Sequence, residues 1–153
     1  MLLHGADDRA RVTEAARSTF ATEVWGGQGT DVLRSDAGYD TSPEGPEGID
    51  TLDLSTVPYG VRADLNVCRL GFHGTQAAGL VQAMERVIGT SYNDRLGGDA
   101  GANVLVGGRG VDWLTGEDGP DRIDSNDGGA DTVRCSAGAD TYVGDAADRR
   151  EGC

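Results

Sequence analysis

The sequence predicts an all-β fold in which short strands stack into coils, a β-solenoid. Three observations predict it: a nine-residue repeat, glycine at fixed places in each repeat, and a central apolar residue in the last three positions. A three-residue strand is too short to stand alone, but two repeats make one coil of about 18 residues. Stacked coils then pair their strands ~4.8 Å apart and enclose a thin apolar interior.

The repeat is clearest from Gly89 to Val143, where the chain divides into six nonapeptides with one extra residue, Ser125. Position four is glycine in five of the six copies. Because glycine adopts positive φ at little cost, the first six residues of each copy can turn sharply. Position six carries an aspartate or asparagine throughout, namely Asp94, Asn103, Asp112, Asp121, Asp131 and Asp140. Position eight is Leu96, Leu105, Leu114, Ile123, Val133 and Tyr142, which are the candidate core residues.

The same pattern occurs upstream in a second block. GGQGTDVLR begins at Gly26 and places Asp31 in position six. SDAGYDTSP follows with Asp40, and after one extra residue GPEGIDTLD follows with Asp50. Before Gly26 no aspartate is expected in register, so residues 1–25 are interpreted as a degenerate edge of the array.

Composition limits the function classes. The 153 residues include 26 acidic and 13 basic side chains, a net charge of −13, with 25 glycines and 5% aromatic residues. This balance argues against nucleic-acid binding, which needs a basic surface. No apolar run approaches the ~20 residues of a membrane span. The chain is either disordered or an aspartate scaffold that folds around hard cations.

Spacing favours the cation scaffold. Aspartates one coil apart, such as Asp94 and Asp112, are expected to lie one above the other. Carboxylates stacked this closely repel each other unless a positive ion lies between them. Calcium accepts irregular shells of six to eight oxygens, whereas magnesium requires near-ideal octahedral geometry and is the weaker candidate.

GGQGTDVLR and GGRGVDWLT match G-G-x-G-x-D-x-U-x, so the chain resembles hemolysin-type (RTX) calcium-binding repeat proteins. The resemblance implies a parallel β-roll that binds Ca²⁺ as its cofactor between successive turns. It implies ligands at position six, with Asn103 contributing no charge: Asp31, Asp40, Asp50, Asp94, Asn103, Asp112, Asp121, Asp131 and Asp140. It also implies that carbonyl groups of the glycine loops bind the metal, in particular at Gly26, Gly27, Gly29, Gly107, Gly108, Gly110, Gly116 and Gly119.

Between the two blocks the repeat is lost. Residues 54–88 are interpreted as a β-rich insertion packed on the roll, with an alternating strand from Val61 to Cys68 and a short amphipathic helix from Ala77 to Ile88. The alternative at the end of this helix is that Val87-Ile88 begin a strand. The expected organisation is one structural domain. It comprises an N-terminal repeat block (1–53), the insertion (54–88), the main roll (89–143) and a C-terminal cap (144–153).

The cysteines predict a disulfide bond at the C-terminal end. Cys135 and Cys153 are two nonapeptides apart, which is one coil if the register persists, and this would bring their Cα atoms within disulfide range. Such a bond implies an oxidising, extracellular setting. Cys68 is expected to be a free thiol. The N-terminus lacks the features of a cleaved signal peptide, so export without one, or a longer parent protein, is expected.

No catalytic motif is present: the sequence contains neither H-E-x-x-H nor G-x-S-x-G. The leading hypothesis is a calcium-binding β-roll whose folding is coupled to the metal. Two alternatives stay open: an adhesin-like or ice-binding surface, and the non-catalytic tail of a larger secreted enzyme. An extracellular surface or a parent protein is the expected partner besides calcium. The irregular outward residues at position seven, such as Arg95 and Trp113, disfavour ice binding.

Overall fold

The computed structural model describes residues 7–12, 29–35, 48–72, 78–80 and 84–153. All regular structure in these residues is β-strand. The strands are β1 (Arg9–Val12), β2 (Val32–Ser35), β3 (Thr51–Asp53), β4 (Val61–Asp64), β5 (Arg69–Phe72), β6 (Ala78–Leu80), β7 (Arg86–Ile88), β8 (Arg95–Gly97), β9 (Val104–Val106), β10 (Trp113–Thr115), β11 (Arg122–Ser125), β12 (Thr132–Arg134), β13 (Thr141–Gly144) and β14 (Arg149–Glu151).

Two seven-stranded sheets form the fold. The first sheet has the order β1-β2-β3-β7-β9-β11-β13, and the second has the order β14-β12-β10-β8-β4-β5-β6. From β7 onward the chain alternates between the sheets, so each strand pairs in parallel with the strand one coil later. Trp113, for example, pairs with Arg95 of the preceding coil and with Thr132 of the following coil. The predicted parallel β-solenoid is confirmed.

The core is one cluster of buried apolar side chains to which strands of both sheets contribute. Leu105, Leu114, Ile123 and Val133 at position eight have no solvent exposure. Burying a side chain of this size contributes roughly 1.5–3 kcal/mol. Because each of these strands contributes one such residue, the interior of the main roll stays thin. The turns between the strands make up much of the remaining structure.

Residues 54–88 enter the second sheet. β4 pairs in parallel with β8, and β5 and β6 add two antiparallel strands beside it. The chain then returns to the first sheet, where β7 pairs directly with β3 although residues 54–85 separate them in sequence. The non-repeat segment therefore contributes β4, β5 and β6 to the second sheet, where β4 lies next to the repeat strand β8, and β7 to the first sheet.

Two expectations for the non-repeat segment are wrong. The proposed helix overlaps strands β6 and β7, because pairing with the sheets outweighs the weak helical spacing of a few apolar residues. The alternative of a strand at Val87-Ile88 is confirmed, since both residues lie in β7. The alternating strand is also shorter than expected and ends at Asp64. A turn closed by the Cys68 amide donating to the Leu65 carbonyl begins there, and it leaves Val67 exposed.

The N-terminal edge continues the array. β1 pairs in parallel with β2, with Arg9 opposite Val32, which places Asp8 in the slot that Asp31 occupies one coil later. The expectation that no aspartate precedes Gly26 in register is therefore wrong. Asp8 and Asp31 are separated by 23 positions, whereas the coils of the main roll have separations of 18 or 19. A fixed nine-residue count therefore cannot reach Asp8.

Candidate metal centre

The residues at position six form two columns along the roll, because each lies at the start of a paired strand. The column beside the first sheet contains Asp8, Asp31, Asp50, Glu85, Asn103, Asp121 and Asp140. The column beside the second sheet contains Val61, Asp94, Asp112, Asp131 and Asp148. The structure thus brings together eight of the nine predicted ligands. The ninth, Asp40, lies outside the described residues, as do Gly26 and Gly27.

In both columns, backbone amides of one turn donate to carboxylate oxygens of the next turn. The backbone amide of Asp94 donates to Asp112 Oδ1 (2.8 Å), and the Asp112 amide donates to Asp131 Oδ1 (2.7 Å). In the other column the Asn103 amide donates to Asp121 Oδ1, and the Asp121 amide donates to Asp140 Oδ1, both at 2.9 Å. This ladder links successive turns through side chains and fixes the orientation of each carboxylate.

In several of the column aspartates, the second carboxylate oxygen has no hydrogen-bond partner. Among the described residues, the buried Oδ2 atoms of four position-six aspartates accept no hydrogen bond: Asp31, Asp112, Asp121 and Asp131. Each of these residues is at most 2% exposed. An unsatisfied buried carboxylate oxygen is costly, and a hard cation removes that cost because it prefers such ligands. The donor set therefore fits calcium.

Glycines make the turns close enough to surround such a cation. A Cβ at Gly107 would lie 2.6 Å from Asp112 Oδ2, and one at Gly116 would lie 2.4 Å from Asp121 Oδ2, so glycine at these two positions leaves room for the carboxylates. Gly119 has a φ of 107°, and a Cβ there would lie 2.2 Å from the carbonyl oxygen of Gly101 one coil earlier. The backbone of one turn thus packs directly against a carbonyl group of the neighbouring turn.

Comparison with known families gives the same assignment. The family model for the RTX calcium-binding nonapeptide repeat (4 copies) matches residues 23–41, 88–123 and 97–132. These residues match the RTX calcium-binding repeat family. No curated protein matches the chain. Within the described residues, no helix is long and apolar enough to span a membrane.

The electrostatics of the RTX loops agree with a site for a cation. Burial, reinforced by the charges of Asp94, Asp131 and Asp127, raises the pKa of Asp112 to about 7. Burial, together with Asp140 and Asp99, raises the pKa of Asp121 to about 6. These carboxylates are expensive to ionise in the bare protein, and a bound divalent ion would reverse that preference.

Asp94 differs from the other buried RTX aspartates. Its Oδ1 accepts hydrogen bonds from the Val61 amide (2.8 Å) and the Thr90 hydroxyl (3.0 Å), and its Oδ2 accepts one from the Thr90 amide (2.5 Å). Burial still raises its pKa. Both oxygens are nevertheless satisfied by the protein, so the Asp94 loop can close without an ion.

Three column members were missed by the sequence count: Asp8, Glu85 and Asp148. Glu85 Oε2 accepts the Asp50 amide (2.8 Å), and Asp148 Oδ1 accepts the Asp131 amide (3.0 Å), in the manner of the aspartate ladder. Glu85 precedes Arg86-Val87 as position six precedes a strand, and this signal was available in the sequence. Asp148 follows Asp131 by only 17 positions, which a strict nine-residue count excludes.

The C-terminal cysteines lie together. The Sγ atoms of Cys135 and Cys153 are bonded, with Cα atoms 5.1 Å apart. The supporting coil is one residue shorter than assumed, since Val133 of β12 pairs with Arg150 of β14. Cys153 therefore lies one residue beyond strict register, and the backbone after β14 brings it back to Cys135. Cys68 is a free thiol.

Proposed function

We propose that this chain is a non-catalytic β-roll module whose folding is driven by Ca²⁺ bound between successive turns, acting in a secreted protein. The observation that carries the proposal is the set of buried, unpartnered Oδ2 atoms at Asp31, Asp112, Asp121 and Asp131. Each lies in a ladder that fixes its orientation in the folded protein, so cation binding and folding are expected to support each other.

The ligands would come from three groups of this chain. Position-six carboxylates such as Asp112, Asp121 and Asp131 would supply charge, and Asp50 and Asp140 would add carboxylates from the next turn. The stacked loops at Gly29, Gly107, Gly108, Gly110, Gly116 and Gly119 would supply backbone carbonyl oxygens. Calcium would contribute positive charge and an irregular oxygen shell, which suits a mixture of carboxylates and carbonyls.

Coupling to folding follows from the energy balance. A net charge of −13 opposes compaction, and a thin core supplies little apolar burial to offset it. A cation that binds the folded state alone stabilises it in proportion to the logarithm of its concentration. Extracellular modules bind calcium with dissociation constants of about 10⁻⁴–10⁻³ M, so such a chain would fold outside the cell.

Isothermal titration calorimetry of the EDTA-stripped protein with calcium tests the metal assignment. The double variant Asp112→Asn/Asp121→Asn keeps the Oδ1 acceptors and removes two buried charges. The control Asp118→Asn/Asp124→Asn removes the same charge from more exposed positions, one of them paired with Arg122. Loss of bound ions in the first variant and retention in the control is expected. Absence of calcium binding by the wild type, or equal loss in both variants, would overturn the proposal.

The extracellular part of the proposal has its own test. A thiol count on the denatured, non-reduced secreted protein should find one free thiol, that of Cys68, with Cys135 and Cys153 joined. A count of three would contradict an oxidising destination.

A further inference from the structure

The site between the loops of Asp112 and Asp131 contains a third carboxylate from outside the position-six columns. Asp127 is at position two of its nonapeptide, where the repeat motif has glycine. One carboxylate oxygen each from Asp112, Asp127 and Asp131 lies within 4.8 Å of the others. Among the described residues, no other trio of histidine, cysteine or acidic side chains meets this condition.

Each of the three carboxylates has one oxygen committed and one unpartnered. Asp127 Oδ1 accepts the Gly129 amide (2.5 Å), whereas the Oδ1 atoms of Asp112 and Asp131 accept ladder amides. All three Oδ2 atoms are buried and accept no hydrogen bond. Asp112 and Asp131 are 2% and 1% exposed, so these are buried anionic oxygens held close together without a counter-charge.

The acidic residues around the trio already use carboxylate oxygens to accept hydrogen bonds from the protein. Asp145 Oδ2 accepts the amides of Asp127 (3.0 Å) and Gly128 (2.7 Å), and Asp148 Oδ1 accepts the Asp131 amide. These bonds hold the Asp127 loop in place from the next turn. They also add negative charge around the trio, which increases its demand for a cation.

We propose that Asp127 is a direct cation ligand, and that it makes this inter-turn site the tightest on the chain and selective for higher cation charge. The inference rests on the proposed function and extends it to one site. The charge count of the ligands tunes calcium affinity, and three carboxylates favour a trivalent lanthanide over calcium more strongly than two do. The site fills first as the cation concentration rises.

Asp99 provides a matched control. It also occupies position two, and its Oδ1 accepts the Gly101 amide (2.7 Å) as Asp127 Oδ1 accepts the Gly129 amide. Its own amide, however, donates to the neutral Asn103, and its Oδ2 is not among the buried unpartnered atoms. Asp99→Asn and Asp127→Asn therefore make the same chemical change in similar turns, and only the second removes a charge from the trio.

Terbium luminescence reads this site. Trp113 directly follows Asp112 and can sensitise a nearby Tb³⁺, and replacing Trp25 with phenylalanine leaves it the sole tryptophan. In this background Asp127→Asn should raise the Tb³⁺ concentration at half-maximal Trp113-sensitised emission ~10-fold. Asp99→Asn should raise it less than ~2-fold. Circular dichroism at saturating calcium checks that each variant is folded. Equal shifts in the two variants would overturn the inference.

A second measurement requires no change in the site. When the calcium-loaded protein in the Trp25→Phe background receives less than one equivalent of Tb³⁺, most of the bound Tb³⁺ should give Trp113-sensitised emission. Tb³⁺ that binds mostly without this emission would contradict a tightest site at Asp127. If the protein binds neither Tb³⁺ nor calcium, the proposed function itself fails. If it binds both and Asp127→Asn matches Asp99→Asn, only the present inference fails.

Discussion

Two adjacent loops of the same column show what makes a turn depend on metal. The loop from Gly89 to Asp94 and the loop from Gly107 to Asp112 both end in a buried aspartate. In the first, Thr90 satisfies both carboxylate oxygens through its amide and hydroxyl. In the second, Gly108 holds position two with a φ of 91°, and Asp112 Oδ2 has no partner. In these two loops, the residue at position two therefore decides whether hydrogen bonds satisfy the carboxylate oxygens or a cation is required.

The largest expected effect comes from breaking the contact between these loops. A Cβ at Gly108 would lie 2.1 Å from the Thr90 carbonyl oxygen, whereas Gly128, with nearly the same φ of 92°, has no atom within 4 Å of such a Cβ. Gly108→Ala should lower the free energy of unfolding at saturating calcium by ~3 kcal/mol, and Gly128→Ala by ~1 kcal/mol from φ strain alone. Urea unfolding measures both. Equal losses would mean that the close approach of the turns carries no energy.

The second prediction distinguishes Asp112 from Asp94 by the number of calcium ions bound on folding. Asp112→Asn should remove about one ion from the slope of unfolding free energy against the logarithm of calcium concentration, and raise the calcium midpoint ~10-fold. Asp94→Asn should lower stability while leaving that slope unchanged. Urea titrations at several calcium concentrations give the slope. A reduced slope in Asp94→Asn would show that its loop also binds an ion.

Removing the Thr90 hydroxyl sharpens the comparison further. Thr90→Val keeps the shape and the amide but deletes the hydroxyl's hydrogen bond to Asp94 Oδ1 and the one it accepts from the Tyr92 amide. Stability should therefore fall by ~1–2 kcal/mol with an unchanged calcium slope. The same urea series detects it. If stability is unchanged, the hydroxyl does not satisfy Asp94 in solution, and the amide alone closes the loop.

The smallest effect concerns acid in the absence of calcium. Burial raises the pKa of Asp112 to about 7 and that of Asp121 to about 6, both above the ordinary value of 3.8. A raised pKa in the folded state means that protonation favours folding. This stability is fully present below pH ~4 and is lost as pH rises through ~6–7. The metal-free chain should therefore show more β-structure by circular dichroism at pH ~5 than at pH ~7.5. Asp112→Asn should reduce the difference, and an unchanged or reversed difference would contradict the assignment.

The sequence predicted the parts of this structure that depend on regular spacing. Position eight located the buried row, including Leu105 and Leu114, and position six located most of the carboxylate columns. Spacing failed where coil length changed, because the coil after Asp8 is longer than two nonapeptides and the coil before Asp148 is shorter. A fixed period cannot follow such changes, whereas strand pairing can.

The hydrogen-bond state of each carboxylate was also beyond the sequence. Asp94 and Asp112 are both aspartates before a strand, and only the backbone conformation of position two determines which amide reaches the carboxylate. The proposed role of Asp127 is of the same kind, because one of its carboxylate oxygens comes within 4.8 Å of one from Asp112 only when two turns stack. Motif matching identifies a repeat, but the hydrogen-bond partners of individual carboxylate oxygens depend on how the turns fold and stack.

The most direct test of calcium-driven folding is a far-UV circular dichroism titration of the EDTA-stripped protein at neutral pH, first with calcium and separately with magnesium. A cooperative transition from coil to β-structure with calcium, and a weaker or absent one with magnesium, is the predicted result. A full β-signal in EDTA that calcium leaves unchanged would contradict it, because the aspartate turns would then close without a cation.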